Sequence, residues 1–215
     1  MIESRVIFPC GCLLLEGVAS ISSEEGPFPA VVICHPHPLY GGSMDNNVVH
    51  AICQNLTQSS ICWLRFNFRG VGGSEGDFEQ GIGECDDVEA AISYLSGMAG
   101  VDEGRIGLCG YSFGAGVALG FAPRDERVKA LALVSPVNSS LDSLVDYCKP
   151  KLVISGSADG FIDTVCLQRI VEDLSQPKDF EIISGADHFW CGHEANMAIR
   201  VVDFFGRFLK LPTVI

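Results

Sequence analysis

Almost continuously apolar segments alternate with helix-period segments along this chain, and that alternation limits the fold more than any other feature. Runs such as AVVIC, RIGLCG, VKALALVS and KLVISG are typical of strands that are covered on both faces. Between them, apolar residues recur every three or four positions, which indicates amphipathic helices. The pattern therefore predicts an α/β fold, a doubly wound and mostly parallel sheet flanked by helices.

The runs correspond to about eight strands and five helices, and a chain of 215 residues suits a single domain spanning 1–215. The first two strands, SRVIF and CLLLEGVASIS, are predicted to pair as an antiparallel edge, with Cys10 and Cys12 on one face. Little sequence separates VKALALVS from KLVISG, so we expect little or no lid domain there. Helices are predicted over 45–58, 83–98 and 163–174, and at the C-terminus, where Met197, Val201, Phe204 and Phe208 form one stripe.

Charge and cysteine usage exclude several classes of partner. The formal net charge of −13 repels phosphates, which disfavours nucleic acids and anionic membranes as partners. No apolar run reaches about 18 residues, so no membrane span is expected, and the N-terminal apolar stretch is interpreted as a strand rather than a signal peptide. The ten cysteines are scattered without a paired CxxC motif, which favours reduced thiols in a cytoplasmic protein.

The pentapeptide Gly110-Tyr111-Ser112-Phe113-Gly114 matches the G-x-S-x-G pattern of a serine nucleophile. It follows the strand RIGLCG and opens the helix-like SFGAGVALGFA, which is the setting that the pattern requires. Side chains two residues from such a sharp turn would collide, so glycines stand there. Ser112 is therefore predicted to be a nucleophile, and a serine favours acyl-enzyme chemistry on ester-type substrates.

A serine hydroxyl needs a base to take its proton. Of the five histidines, His188 follows the strand DFEIIS and so lies at the carboxyl edge of the sheet, where open α/β sheets bind ligands. His188 is the predicted base. His193 is expected near a helix start and His50 within the first helix, both in structural roles.

The acid that orients the imidazole should lie between the nucleophile and the base in chain order. Asp159, after the strand KLVISG, meets this requirement and is the first choice. Asp163 is the main alternative, although it also fits a helix N-cap. Asp142 and Asp146, which follow the preceding strand, are further alternatives.

The oxyanion of an acyl-transfer intermediate needs backbone N–H donors. One is predicted at Phe113, the residue after the nucleophile. The second should come from the loop HPHPLYGG, whose prolines have no N–H group. His37 is the first choice there, with Leu39 and Tyr40 as alternatives. The two histidines of this loop also suggest a metal, but the segment supplies no third ligand, so none is expected.

The segments HPHPLYGGSMDN, NFRGVGGSEG, GYSFGAG, GSADGFI and GADHFW follow one another within 35–190. Together they resemble the α/β-hydrolase superfamily, and closely a compact dienelactone-hydrolase-like branch. The resemblance implies the triad Ser112, Asp159 and His188, and the strand order 1-2-4-3-5-6-7-8 with strand 2 alone antiparallel. Ser112 stands where dienelactone hydrolases proper have a cysteine. The segment NFRGVGGS is similar to the D-x-R-G-x-G-x-S corner of the superfamily, which implies a structural role for Arg69.

These patterns predict a carboxylesterase-like hydrolase that acts on a small-molecule ester without a cofactor. A thioesterase or an acyltransferase would use the same residues, and both remain alternatives. A non-catalytic binding protein of the same fold is a third alternative, although such a protein is expected to lose a triad residue. A nucleotide-binding protein is disfavoured, because neither glycine-rich loop reads G-x-G-x-x-G or G-x-x-x-x-G-K-[ST]. The patterns indicate no particular oligomeric state.

Overall fold

An eight-stranded sheet forms the centre of the computed structural model, which describes residues 1–137 and 141–210. The strands are β1 (Ile2–Cys10), β2 (Leu13–Ile21), β3 (Phe28–Cys34), β4 (Cys62–Phe66), β5 (Val101–Tyr111), β6 (Val128–Val134), β7 (Lys151–Gly156) and β8 (Lys178–Ile183). The α-helices of the described residues are α1 (Asn47–Gln58), α2 (Gly83–Ser96), α3 (Phe113–Phe121), α4 (Thr164–Asp173) and α5 (Glu194–Leu209). Strands and helices alternate from β3 onward, as the apolar pattern predicts.

The strand order across the sheet is β1-β2-β4-β3-β5-β6-β7-β8. Strand β2 is antiparallel to both β1 and β4, and every other neighbouring pair is parallel. The predicted order and the single antiparallel strand are therefore confirmed. Because β3 and β5 to β8 run in the same direction, the loops that follow them meet at one edge of the sheet.

The hairpin between β1 and β2 differs from the prediction in one respect. Cys10 pairs with Leu13, so Gly11 and Cys12 form the two-residue turn, with Gly11 at a φ of +59°. Cys10 is buried and Cys12 is exposed. The expectation that both cysteines share a strand face is wrong, because a glycine at positive φ reverses the chain between them.

Two apolar cores lie on opposite faces of the sheet, which explains why its central strands have apolar residues at successive positions. Val32 points to the core that α2, α3 and α4 cover, whereas Val31 and Ile33 point to the core under α1 and α5. On α5, Met197, Val201 and Phe204 are buried as predicted, together with Leu209. Phe208 was expected in that stripe but is 36% exposed. It lies near the end of the helix, where its ring is 5.2 Å from the guanidinium carbon of Arg207.

Three further predictions concern the lid domain, membrane spans and the state of the cysteines. The connection from β6 to β7 spans 135–150, and its described part contains a short 3₁₀ helix, Leu141–Leu144. Within the ranges given above, none of the helices is long and apolar enough to cross a bilayer. All ten cysteines are free thiols.

Candidate active site

Ser112 occupies the turn between β5 and α3, at a φ of +56° and a ψ of −115°. Backbone angles in this region are strained for a residue with a side chain, and such strain concentrates at functional sites. The N–H group of Ser112 donates to the carbonyl of Val134 at 2.9 Å, which ties the turn to the end of β6. The turn therefore holds the hydroxyl at the carboxyl edge of the sheet, where the loops after the parallel strands meet.

The two glycines of the pentapeptide permit close backbone contacts that a side chain would prevent. A Cβ atom at Gly110 would lie 2.2 Å from the carbonyl oxygen of Gly114. A Cβ atom at Gly114 would lie 2.5 Å from the carbonyl oxygens of both Cys34 and His35. These contacts pack the start of α3 against the end of β3, and so bring the loop after β3 next to Ser112.

Ser112, His188 and Asp159 form a continuous hydrogen-bonded series, and all three residues are buried. The Oγ atom of Ser112 lies 3.0 Å from Nε2 of His188, and Nδ1 of His188 lies 2.8 Å from Oδ2 of Asp159. Oδ1 of Asp159 accepts the N–H of Phe161 at 2.9 Å. Burial alone would raise the pKa of the Asp159 carboxyl, but the hydrogen bonds from His188 and Phe161 outweigh it and hold that pKa below its usual value.

The loops that carry Asp159 and His188 are held together by a close backbone approach. A Cβ atom at Gly156, the last residue of β7, would lie 2.1 Å from the carbonyl oxygen of Ala186. The same carbonyl accepts the N–H of Ala158 at 2.9 Å. Each contact joins the residues just before the carboxylate to those just before the imidazole, so the two groups meet at hydrogen-bond distance.

The alternative acids and bases occupy other places. Oδ1 of Asp163 accepts the N–H groups of Val165 and Cys166 at 3.0 Å each and so caps α4. Asp146 is exposed, and the side chain of Asp142 lies outside the described part of the structure. His193 immediately precedes α5, and His50 lies within α1, as expected. Nε2 of His50 lies 3.1 Å from a guanidinium nitrogen of Arg65.

Three buried side chains that the sequence patterns did not single out support this series. The hydroxyl of Tyr111 donates to the carbonyl of His188 at 2.8 Å. Nε1 of Trp190 donates to Oγ of Ser135 at 3.2 Å. The Ser135 hydroxyl is also among the groups that lower the pKa of the Asp159 carboxyl. Ser135 and Trp190 both have a positive φ. These bonds join loops far apart in the chain, so no short motif could have revealed them.

The loop after β3 carries the predicted second oxyanion donor. His37 precedes a 3₁₀ helix, Pro38–Tyr40, and its Nδ1 accepts the N–H of Leu39 at 3.2 Å. Its carbonyl accepts the N–H of Tyr40 at 3.1 Å. The two alternative donors are therefore already engaged within the loop. The ring of His37 lies 4.9 Å from the ring of Phe113, so this loop adjoins the residue after Ser112.

Both ring nitrogens of His35 are used within the fold. Nε2 accepts the N–H of Phe68 at 3.1 Å, and Nδ1 lies 2.6 Å from the carbonyl of Pro36, to which it donates in the neutral tautomer. Burial of the ring lowers the pKa of His35 to about 4. His35 therefore stays neutral near pH 7 and links the loop after β3 to the segment that follows β4, with no free nitrogen for a metal.

A family model described as X-Pro dipeptidyl-peptidase (S15 family) matches residues 6–192, from β1 to the loop that carries His188. The chain belongs to the S15 family. This family lies within the α/β hydrolases, so the resemblance that the sequence motifs indicated is confirmed.

Individual relatives and solved structures are similar to this S15-family chain. An uncharacterized protein of Rickettsia prowazekii is 33% identical over 172 residues, which are 75% of this chain and 72% of its own length. A solved α/β serine hydrolase homologue from Coxiella burnetii has 30% identity and a TM-score of 0.85, over 94% of this chain and 97% of its own. An α/β serine hydrolase without lid from Xanthomonas campestris has 27% identity and a TM-score of 0.82, over 98% and 97%. The predicted α/β-hydrolase fold with little or no lid is confirmed.

A cleft of about 530 Å³ opens in this S15-family chain beside the residue that follows the serine. Three segments supply its walls: the loop after β3, the segment between β4 and α2, and the start of α3. We call it the aromatic cleft, and it is lined by His37, Leu39, Tyr40, Phe78, Gln80 and Phe113.

Arg69 lies apart from the aromatic cleft and forms a buried ion pair with Asp87 of α2. Its Nε and one terminal nitrogen lie 3.0 and 2.8 Å from Oδ1 of Asp87, and its backbone N–H donates to Oδ2 at 2.9 Å. A second terminal nitrogen lies 3.1 Å from Oε1 of Glu79. These bonds join the glycine-rich loop to the first half of α2, which fits the structural role that the resemblance implies for Arg69.

Proposed function

We propose that the protein is a serine esterase that cleaves a small acyl ester, with Ser112 as nucleophile, His188 as general base and Asp159 as the orienting acid. The hydrogen-bonded series from the serine hydroxyl through the imidazole to the buried carboxylate carries this proposal. A nucleophile within hydrogen-bond reach of a base, itself oriented by a third group, is the arrangement that acyl transfer to serine requires.

In the proposed reaction, Nε2 of His188 takes the proton of the Ser112 hydroxyl as its oxygen attacks the carbonyl carbon of the ester. The imidazolium then gives that proton to the departing alcohol oxygen, which leaves an acyl-serine. A water molecule, deprotonated by His188, then attacks the acyl-serine, and the imidazolium returns that proton to the Ser112 oxygen as the carboxylic acid leaves. Asp159 stays ionised throughout, and its lowered pKa fits that role, because an anion stabilises the imidazolium and fixes its tautomer.

The oxyanion of each tetrahedral intermediate would be held by the N–H groups of Phe113 and His37. The N–H of Phe113 is in the first turn of α3, where N–H groups have no intrahelical acceptor and the helix dipole favours a negative charge. His37 is favoured in its loop, because the N–H groups of Leu39 and Tyr40 already bind acceptors within that loop. Two such donors are worth several kcal/mol to an acyl-transfer transition state.

We propose an ester rather than an X-Pro peptide as the substrate, although the family is described by that peptidase activity. A dipeptidyl-peptidase must bind the ammonium group at the N-terminus of its peptide, and a buried or partly buried ammonium needs a carboxylate partner. The six residues that line the aromatic cleft next to Ser112 include no carboxylate. This observation favours a neutral substrate.

The proposal is tested by the hydrolysis of p-nitrophenyl acetate. We expect Ser112→Ala to lower kcat by about 10³ or more, and Asp159→Asn by about 10⁴. Asp163→Asn is the matched control, because asparagine caps a helix as well as aspartate does, and this variant should keep the wild-type rate. A severe loss only in the Asp163 variant, or equal rates for wild type and Ser112→Ala, contradicts the proposal.

A parallel assay with an X-Pro p-nitroanilide separates the two substrate classes. We expect the ester to be cleaved with the higher kcat/KM. A clear preference for the X-Pro amide would overturn the ester assignment while leaving the three reacting residues in place.

A further inference from the structure

We propose that the aromatic cleft binds the acyl half of the substrate, which makes the preferred substrates esters of neutral aromatic carboxylic acids. This inference rests on the proposed esterase function and extends it to a substrate class. Four aromatic rings, one of them on the residue that follows the nucleophile, meet in a cleft large enough for a small ring.

The rings of the cleft are already arranged as an aromatic cluster around His37. The centroid of the His37 ring lies 4.9 Å from that of Tyr40, 5.1 Å from that of Phe78 and 4.9 Å from that of Phe113. Phe78 and Phe113 are 5.5 Å apart. Aromatic rings prefer further rings at separations of about 4.5–7 Å, in tilted or offset geometry. An added ring from a substrate would extend this cluster in the same manner.

The aromatic cleft exposes apolar side chains that a bound ligand would cover. Tyr40 is 88% exposed and Leu39 is 70% exposed, side by side in the short 3₁₀ helix. Adjacent exposed apolar side chains at the rim of a reacting centre are typical of a binding surface. Phe78 and Phe113 are partly exposed and form the wall behind them.

The chemistry of the reaction decides which half of the ester faces this cleft. His188 must protonate the departing oxygen, so the leaving group lies on the imidazole side of Ser112. Two other aromatic rings stand on that side: Phe161 and Phe189, whose centroids are 4.8 and 5.7 Å from that of His188.

The acyl group therefore lies on the side of Ser112 opposite to His188. The ester carbonyl oxygen points to the N–H groups proposed at Phe113 and His37, and both of these residues also line the aromatic cleft. An acyl substituent that leaves the same carbon away from His188 enters the cleft at Phe113. The leaving group and the acyl group thus contact two different sets of aromatic rings.

Charge argues for a neutral acyl group. The lining of the aromatic cleft contains no aspartate, glutamate, lysine or arginine, and Gln80 is its one amide. A carboxylate or ammonium on the acyl chain would lose hydration there without gaining an ion pair. The net charge of −13 further disfavours anionic substrates.

The test compares p-nitrophenyl benzoate, p-nitrophenyl cyclohexanecarboxylate and p-nitrophenyl acetate, which share one leaving group and differ in the acyl group. Each kcat/KM is divided by the rate constant for alkaline hydrolysis of the same ester. For the wild-type protein we expect the benzoate to exceed both other esters. Phe78→Ala should lower the benzoate-to-acetate ratio about fivefold, because it removes one ring from the cluster.

Phe161→Ala is the matched control. It removes a ring from the leaving-group side, so the benzoate-to-acetate ratio should stay within about twofold of wild type, whatever happens to the absolute rates. An unchanged ratio in Phe78→Ala, an equal fall in Phe161→Ala, or no wild-type preference for benzoate overturns the acyl-site assignment. Failure of the esterase proposal gives a different result, since no p-nitrophenyl ester would then be cleaved in a manner that depends on Ser112.

Discussion

Replacing Asp87 by asparagine should destabilise the protein strongly while leaving its chemistry intact. Asp87 is 0% exposed, and its two oxygens accept the backbone N–H, Nε and one terminal nitrogen of Arg69. The Sγ atom of Cys10 also lies 3.4 Å from Oδ1. An asparagine keeps one acceptor oxygen and turns an NH₂ group toward donors at the other position. The guanidinium of Arg69 then stays buried with Glu79 as its remaining charged partner.

The expected loss follows from those contacts. Hydrogen bonds to charged groups contribute about 1.5–3 kcal/mol each, and breaking a buried ion pair costs about 3–5 kcal/mol. Since the amide keeps part of the network, we expect the free energy of unfolding to fall by about 3 kcal/mol. For a chain of this size, that corresponds to a Tm lower by about 6–12 °C.

The assay combines thermal unfolding with ester hydrolysis measured well below the Tm. Glu79→Gln is the control, because Glu79 is 55% exposed and its pair with Arg69 is expected to contribute under about 1 kcal/mol. Asp87→Asn should keep kcat/KM within about threefold of wild type in the cold. A loss of 100-fold or more in kcat/KM with an unchanged Tm would refute the structural interpretation of Arg69 and Asp87.

Three further predictions concern stability and the support of the site. The pKa of His35 falls from about 6.5 in the unfolded chain to about 4 in the folded protein. Between these two pH values the unfolded state binds more protons than the folded state. The free energy of unfolding therefore drops by about 3 kcal/mol as the pH is lowered from 6.5 to 4. Chemical denaturation at several pH values checks this slope, which should be smaller in His35→Gln. Ser135→Ala removes a hydroxyl that helps to lower the pKa of Asp159 and that accepts the Nε1–H of Trp190. It should lower kcat about tenfold with little change in KM, and an unchanged kcat would show that this hydroxyl does not contribute to catalysis. Gly114→Ala should cost about 3 kcal/mol in unfolding free energy, because its Cβ meets two backbone carbonyls, whereas Gly206→Ala in α5 has open space and should raise the Tm by about 2 °C.

Local sequence patterns predicted the strands and helices, whereas the strand order followed from the resemblance to the α/β hydrolases. Buried parallel strands are continuous apolar runs, and the turn at Ser112 has a short motif with fixed neighbours. The errors arose where one residue decides the outcome. Gly11 at positive φ turns the chain and separates Cys10 from Cys12, and Leu209 rather than Phe208 fills the core at the end of α5.

The candidate site, too, contains features that the sequence predicted and features that it did not. Chain order and strand ends favoured Ser112, Asp159 and His188 but left other aspartates open as the acid, and the resemblance implied the full triad. The structure brings these three residues together at hydrogen-bond distances. Their catalytic roles stay a prediction. The support from Ser135 and Trp190 depends on contacts between loops 55 residues apart in the chain, and no local pattern encodes such a contact.

The aromatic cleft could not be predicted for the same reason. Its lining comes from 37–40, 78–80 and 113, and each segment alone is an ordinary loop or helix start. The rings meet because the elements before them are adjacent in the order β4-β3-β5. Their function therefore depends on the fold as a whole rather than on any one motif.

Labelling with a fluorophosphonate tests the central claim most directly, because the reagent bonds covalently to a serine oxygen activated by a neighbouring base. Mass spectrometry of the digested protein should find the phosphonyl group on Ser112, and His188→Gln should slow the labelling by about 100-fold or more. Labelling of a different residue, or labelling of the wild-type protein no faster than of His188→Gln, would contradict the account.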